Sequence, residues 1–164
     1  MMDNFIQLEK DNILRLGIKD ANGNDTGEHL EFDLEDVDLP IRYQELLEQH
    51  KKNLEHLRNE IVNIEKRQDV KGKKLLSKNE EDEIRAINAF FKKETEVYNM
   101  FLGENGVQKL LNGRKLGWTT LKAIDKVIEN QIKPYLIKNK EDVVERIKKA
   151  YGETIEKDKV LKDE

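Results

Sequence analysis

The side chains that could do chemistry in this sequence are few, and their spacing decides against most of it. Three histidines are present, His29, His50 and His56. His50 and His56 stand six apart, not the i, i+4 spacing that brings two imidazoles to one metal ion, and no His-Glu-x-x-His occurs. They read as one histidine in a helical seam and two on the surface. There is no cysteine, so thiolate ligands, thiol nucleophiles and disulfides are all excluded. The only serine, Ser77, has no histidine near it and reads as a helix cap. Carboxylates are abundant, at Asp33, Glu35, Asp36 and Asp38 and in the run Glu80-Glu81-Asp82-Glu83. A catalytic carboxylate pair needs a pocket that drives its two pKa values apart. The 80–83 run is sufficiently explained by the favourable dipole of a helix start. These residues predict no catalytic centre, no metal and no cofactor.

Charge supplies one further candidate. Lys66, Arg67, Lys71, Lys73 and Lys74 form the best nucleic-acid cluster, but it is short, is interrupted by Asp69 and lacks aromatic stacking residues. A solvated connector is the simpler reading. The net charge of -4 gives no general attraction to nucleic acid or to an anionic membrane. Gly103-Glu104-Asn105-Gly106 spells the G-x-x-G of a KH loop, yet it carries Glu104 where phosphates would lie, and no strands follow. No Walker-type loop is present. Residues 1–11 lack a basic segment followed by an apolar run, and no apolar stretch approaches the roughly 20 residues that cross a bilayer. A cytoplasmic protein without a membrane partner is expected.

The elements that would position these groups are mostly helical. Hydrophobic content of 37% against 39% charged suits an elongated helical protein with much solvated surface. Leu14, Leu16 and Ile18 alternate with polar or small residues, as do Leu30, Phe32 and Leu34. This predicts strands over 13–19 and 28–34, joined by a turn centred on Asn22-Gly23. Asp38 with Pro40 opens a helix over about 39–67. Leu47, Leu54 and Ile61, and Tyr43, His50, Leu57 and Ile64, repeat in sevens and predict its seam. A second helix over 78–102 begins at the capping box Ser77–Glu80 and carries Ile84, Ile87, Phe91, Tyr98 and Phe101 on one face. The two make an antiparallel hairpin through the connector 67–78. Gly103 ends the second helix, Asn105 with Gln108 caps a short one over 105–112, and Gly113 closes it.

From about Trp118 a further helix to 133 shows Leu121, Ile124, Ile128, Ile132 and Tyr135 on one face, with Pro134 kinking or ending it. Asn139 with Asp142 caps a last helix carrying Val143, Val144, Ile147, Tyr151 and Ile155, and the charged residues Lys157 to Glu164 are expected to fray. The predicted class is mainly α (α+β): an N-terminal β-hairpin, an antiparallel helical hairpin and further amphipathic helices. The predicted organisation is a single domain over 1–138 and a charged C-terminal helix and tail over 139–164.

With chemistry set aside, what remains is apolar surface. Phe90, Phe91, Tyr98, Phe101, Trp118 and Tyr135 are more than one narrow helical face buries; most are expected in the core and some along a groove for a partner helix or for self-association, with Phe90, Phe91, Tyr98, Phe101, Leu102 and Trp118 as the predicted lining.

The order of these elements resembles the tail assembly chaperones of long-tailed siphophages, chiefly those of Gram-positive hosts. The likeness rests on Leu14-Arg15-Leu16-Gly17-Ile18 through Phe32-Asp33-Leu34 as the opening β-segment. It rests also on Met100-Phe101-Leu102-Gly103-Glu104-Asn105-Gly106-Val107-Gln108-Lys109-Leu110-Leu111-Asn112-Gly113, followed by a helix like Thr119–Ile137. It covers roughly three-quarters of the chain and leaves out Asn139–Glu164. In that family the C-terminal part, or a frameshifted extension, engages the tail-tube protein. The resemblance implies a non-enzyme that coats the tape-measure protein, recruits tail-tube subunits, works in the host cytoplasm and is absent from the mature virion. A structural tail adaptor or completion protein retained in the virion, and a nucleic-acid-associated regulator using the 66–74 cluster, are the alternatives.

Overall fold

The computed structural model describes residues 3–8 and 12–163, with side chains described as far as Gly152. The architecture is mainly α with an N-terminal two-stranded antiparallel hairpin. Strand β1 (Ile13–Lys19) pairs with β2 (Asp25–Asp33), placing Leu14 opposite Phe32 and Leu16 opposite Leu30. The period of two puts these side chains and Ile18 on one face, which packs into the core. β2 starts three residues before the position that alternation predicts. The turn closes tightly over Asp20–Asn24: Asp20 Oδ1 accepts from the N–H groups of Asn22 and Asn24, both at 2.9 Å, and Gly23 supplies a φ of 83°. An irregularity after Gly17 then lets Thr26 donate its hydroxyl to the Ile18 carbonyl at 2.8 Å.

Helices α1 (Leu39–Glu65) and α2 (Lys78–Leu102) form the expected antiparallel hairpin. The seam of α1 differs in one of its two columns. Tyr43, His50, Leu57 and Ile64 lie along it, but the second column is Leu39, Leu46 and Asn53, while Leu47 and Leu54 are exposed on its flank. The apolar pattern misled here because Asn53, a polar residue, occupies a core position. Asp38 precedes the helix without a side-chain capping bond, and the Asp36 carboxylate takes the Asp38 N–H and Arg42 instead.

The capping box at α2 is present as predicted, with Glu80 N–H donating to Ser77 Oγ at 3.2 Å and Ser77 N–H to the Glu80 carboxylate at 3.1 Å. Ile84, predicted on the apolar face, is exposed. Gly103, at φ 98°, turns the chain into α3 (Gly106–Leu111). Asn105 makes no capping bond. The acceptor is Asn99 Oδ1 of α2, 2.8 Å from the Val107 N–H, and its Nδ2 donates to Gln108 at 2.9 Å.

Helix α4 (Trp118–Val127) passes through a π turn over Ile128–Ile132 into α5 (Lys133–Asp163) without a break. Pro134 therefore neither ends nor separates helices. Its missing N–H and the bulk of its ring fall just after the wider turn, where the α-type hydrogen bond is already relaxed. Nor does Asn139 cap a new helix. It is buried mid-helix and donates from Nδ2 to the Leu34 carbonyl, tying α5 to the end of the hairpin. Tyr135, Val144, Ile147 and Tyr151 are exposed along α5, and Ile155 lies outside the described side chains. The helical backbone runs on to Asp163, through the charged stretch where fraying is expected.

Candidate partner-binding surface

Of the six side chains predicted to line a groove, four are core. Phe90, Tyr98, Phe101 and Leu102 are buried among the hairpin, α1, α3 and α4. The burial has a simple physical cause. Phe101 is in contact with both Phe32 of β2 and Tyr43 of α1, each at a ring separation of 5.6 Å, so the β-hairpin consumes aromatic surface that a bare helical pair would leave open. Phe91 and Trp118 remain accessible. Trp118 is 52% exposed and lies 4.8 Å from Phe91 and 5.4 Å from Phe90, ring to ring.

One accessible apolar concavity is formed by α1 and α2. Between α1 and α2 a groove of about 420 Å³ has Leu46, Val97 and Phe101 in its floor and Met100 on its lip. Met100 is 76% exposed. Arg42, Glu45, Glu48, Lys52 and Glu96 ring the opening with charges of both signs. An apolar floor inside a polar rim is how helical grooves receive an amphipathic helix, and an unbranched thioether adapts readily to the shape of its occupant.

Beside this groove the seam holds a polar network invisible in the sequence. Glu94 of α2 has no exposed surface. Its carboxylate accepts from His50 Nδ1 on one oxygen and from Asn53 Nδ2, at 2.8 Å, on the other. Gln49 extends the chain by donating to Asn53 Oδ1 at 3.0 Å. The hydrogen bond to Glu94 raises the His50 pKa, against the opposing effect of burial. Next to it the Tyr98 hydroxyl donates to Asp125 at 2.5 Å, and burial first, then this bond, pushes the phenol pKa upward. The His50 ring meets Tyr98 edge-on at 6.0 Å. The buried side-chain polar atoms of this cluster all have partners, as a structural network requires. A composition signal could not have found it, since Glu94 lies 44 residues from His50.

The other titratable candidates fall on the surface. His29 contacts Glu31 at 3.2 Å and His56 contacts Glu60 at 2.9 Å, one helical turn apart. In the basic cluster Arg67 is paired with Asp82 at 3.0 Å, and Asp69 accepts from the Asn79 N–H at 3.0 Å, so the connector is folded against the start of α2. Among the described residues no group of three or more His, Asp or Glu side chains is placed to hold a metal ion, and no helix is long and apolar enough to cross a membrane. Comparison of the chain with protein-family models, curated protein sequences and solved structures gives no match.

Proposed function

We propose that this chain is a tail assembly chaperone of the siphophage kind. In this reading it is not an enzyme and takes no cofactor. It binds apolar helices of the tape-measure protein, keeps them in solution in the host cytoplasm, brings tail-tube subunits to them, and is absent from the finished virion. The observation that carries the reading is the α1–α2 groove, with an apolar floor of Leu46, Val97 and Phe101, Met100 on its lip and a mixed-charge rim. It joins the resemblance over residues 14–138. Such a groove masks a partner's hydrophobic face until a better one replaces it. Many copies that each bind weakly would coat a long target through avidity.

The test is a tagged pull-down from phage-induced cells, with mass spectrometry of the eluate. Tape-measure or tail-tube protein recovered with the wild type, lost with Met100→Asp, and no trace of the chain in purified virions is the expected result. Finding the chain in mature particles would move the assignment to a tail adaptor or completion protein. Recovery of nucleic acid that washes off steeply with salt would move it to a regulator using the 66–74 cluster.

A further inference from the structure

Strand β1 is an open edge. It pairs with β2 on one side, and its other side carries no strand among the described residues. The direction of its backbone groups follows from the ladder. The Leu34 N–H donates to the Asn12 carbonyl at 2.9 Å, and the register runs on through Leu14 opposite Phe32 and Leu16 opposite Leu30. Asn12, Leu14 and Leu16 therefore bond to β2. The N–H and C=O groups of Arg15 and Gly17, between them, point the other way, out of the edge of the sheet.

The space beside that edge is a groove. A cavity of about 390 Å³ lies between β1, the end of α3 and α4. Leu16, Ile18, Leu110, Ala123, Ile124 and Val127 give it its apolar wall. Gly17 and Lys19 also border it, although alternation puts them on the opposite face of the strand from Leu16 and Ile18. A cavity that meets both faces of a strand meets its edge. A Cβ built on Gly17 would touch nothing within 4 Å, so the backbone there is open to approach.

Charge then says what fits. Arg15 and Lys19 are exposed on the outer face of β1 with Gly17 between them, and Arg114 borders the groove. Among the described residues no carboxylate lines it. Across the ladder, the acids opposite these cations are engaged elsewhere: Glu31 contacts His29 at 3.2 Å, and Asp25 accepts from the Gly27 N–H at 2.8 Å. Arg15 itself reaches His29 Nδ1 at 3.2 Å, a contact that leaves its charge without an acid.

We propose that this edge binds an extended acidic segment of a partner protein, added to the hairpin as a third strand. The backbone of the segment meets the N–H and C=O groups of Arg15 and Gly17. Its apolar side chains, at alternate positions, enter the groove, and carboxylates on its other face lie beside Arg15 and Lys19. A small amphipathic anion would fill the groove but leave the repeating donors and acceptors of the edge unused. The groove shares no lining residue with the one between α1 and α2, so the proposal stands apart from the reading of that surface.

The test is fluorescence anisotropy of a labelled nine-residue peptide alternating valine and aspartate, titrated with the full chain. Saturable binding is expected, and a valine–lysine peptide should bind about tenfold more weakly or worse. Arg15→Glu combined with Lys19→Glu should reverse that preference, with unchanged circular dichroism because both side chains are exposed. N-methylation of one alternate set of the peptide's amides should abolish binding, and of the other set should leave it intact, since only one edge of an added strand meets β1. The absence of saturable binding, or binding indifferent to methylation of either set, would overturn the proposal. So would a preference for the acidic peptide that survives the double charge reversal.

Discussion

Glu94, with no exposed surface, holds His50 on one carboxylate oxygen and Asn53 on the other. Those two residues are one helical turn apart on α1, so the carboxylate is satisfied only when α1 stands at one position along α2. Any slip would leave it buried without those partners, and a buried carboxyl group stripped of its hydrogen bonds is among the most unfavourable defects a core can hold.

Removing the carboxylate should therefore be more damaging than replacing the whole cluster. Glu94→Ala is expected to lose about 3 kcal/mol of stability in urea unfolding, since it strands both partners. Leucine at positions 50, 53 and 94 together should recover most of that loss, because an apolar seam has no polar groups to satisfy. A Glu94→Ala variant as stable as wild type would refute the role assigned to the network.

The same pair makes stability depend on pH with a definite sign. The folded-state pKa of His50 is raised above its ordinary 6.5, chiefly by the hydrogen bond to Glu94. Its protonated form is thus favoured by folding. That stabilisation is complete below the ordinary value and is lost as pH rises through the raised one. The urea midpoint should fall as pH climbs from about 6 past neutrality, and His50→Gln should flatten that slope. A slope that survives His50→Gln would assign it to other groups.

Two neighbours on α2 separate stability from surface. Phe101→Ala should cost about 3–5 kcal/mol, because it empties the site between Phe32 and Tyr43. Met100→Asp should stay within about 0.5 kcal/mol of wild type, since Met100 is exposed. Thermal unfolding of both variants checks the contrast, and only the second is suited to partner-binding assays.

What local pattern could show, the sequence showed. The capping box at Ser77 is made by residues three apart, and the strand faces alternate through Leu14–Leu16–Ile18, so both are legible without the fold. What depends on distant partners was not. Asn53 looks like a surface residue until Glu94 is opposite it. Asn105 looks like a cap until Asn99 supplies the acceptor from another helix. The burial of Phe101 was hidden for the same reason: Phe32, which packs on it, comes from the far end of the chain.

The close turn after α2 makes a sharp test of that geometry. A Cβ added at Gly106 would sit 2.6 Å from Leu102 Cβ and 3.5 Å from Leu30 Cδ2. Gly106→Ala should therefore cost about 1–3 kcal/mol despite its better helix propensity. Asn99→Ala should cost about 1 kcal/mol through the lost cap. Asn105→Gly should be neutral or slightly stabilising, since Asn105 sits at φ 56° and makes no capping bond. Unfolding midpoints for the three variants rank these effects.

The π turn ahead of Pro134 has a consequence for how this chain tolerates changes in length. Ile124, Ile128, Ile132 and Leu136 are all buried at intervals of four. At about 100° per residue, twelve residues of plain α-helix would make three turns plus about 120°, whereas eleven would make three turns plus about 20°. The stretch thus carries one residue more than a plain helix needs, and the wider turn absorbs it. A one-residue deletion inside 128–132 should leave Leu136 and Asn139 aimed as they are. The same deletion at Lys140 would rotate everything beyond it by about 100° about the helix axis, swinging Val143 and Ile147 away from the cleft they line beside Leu34.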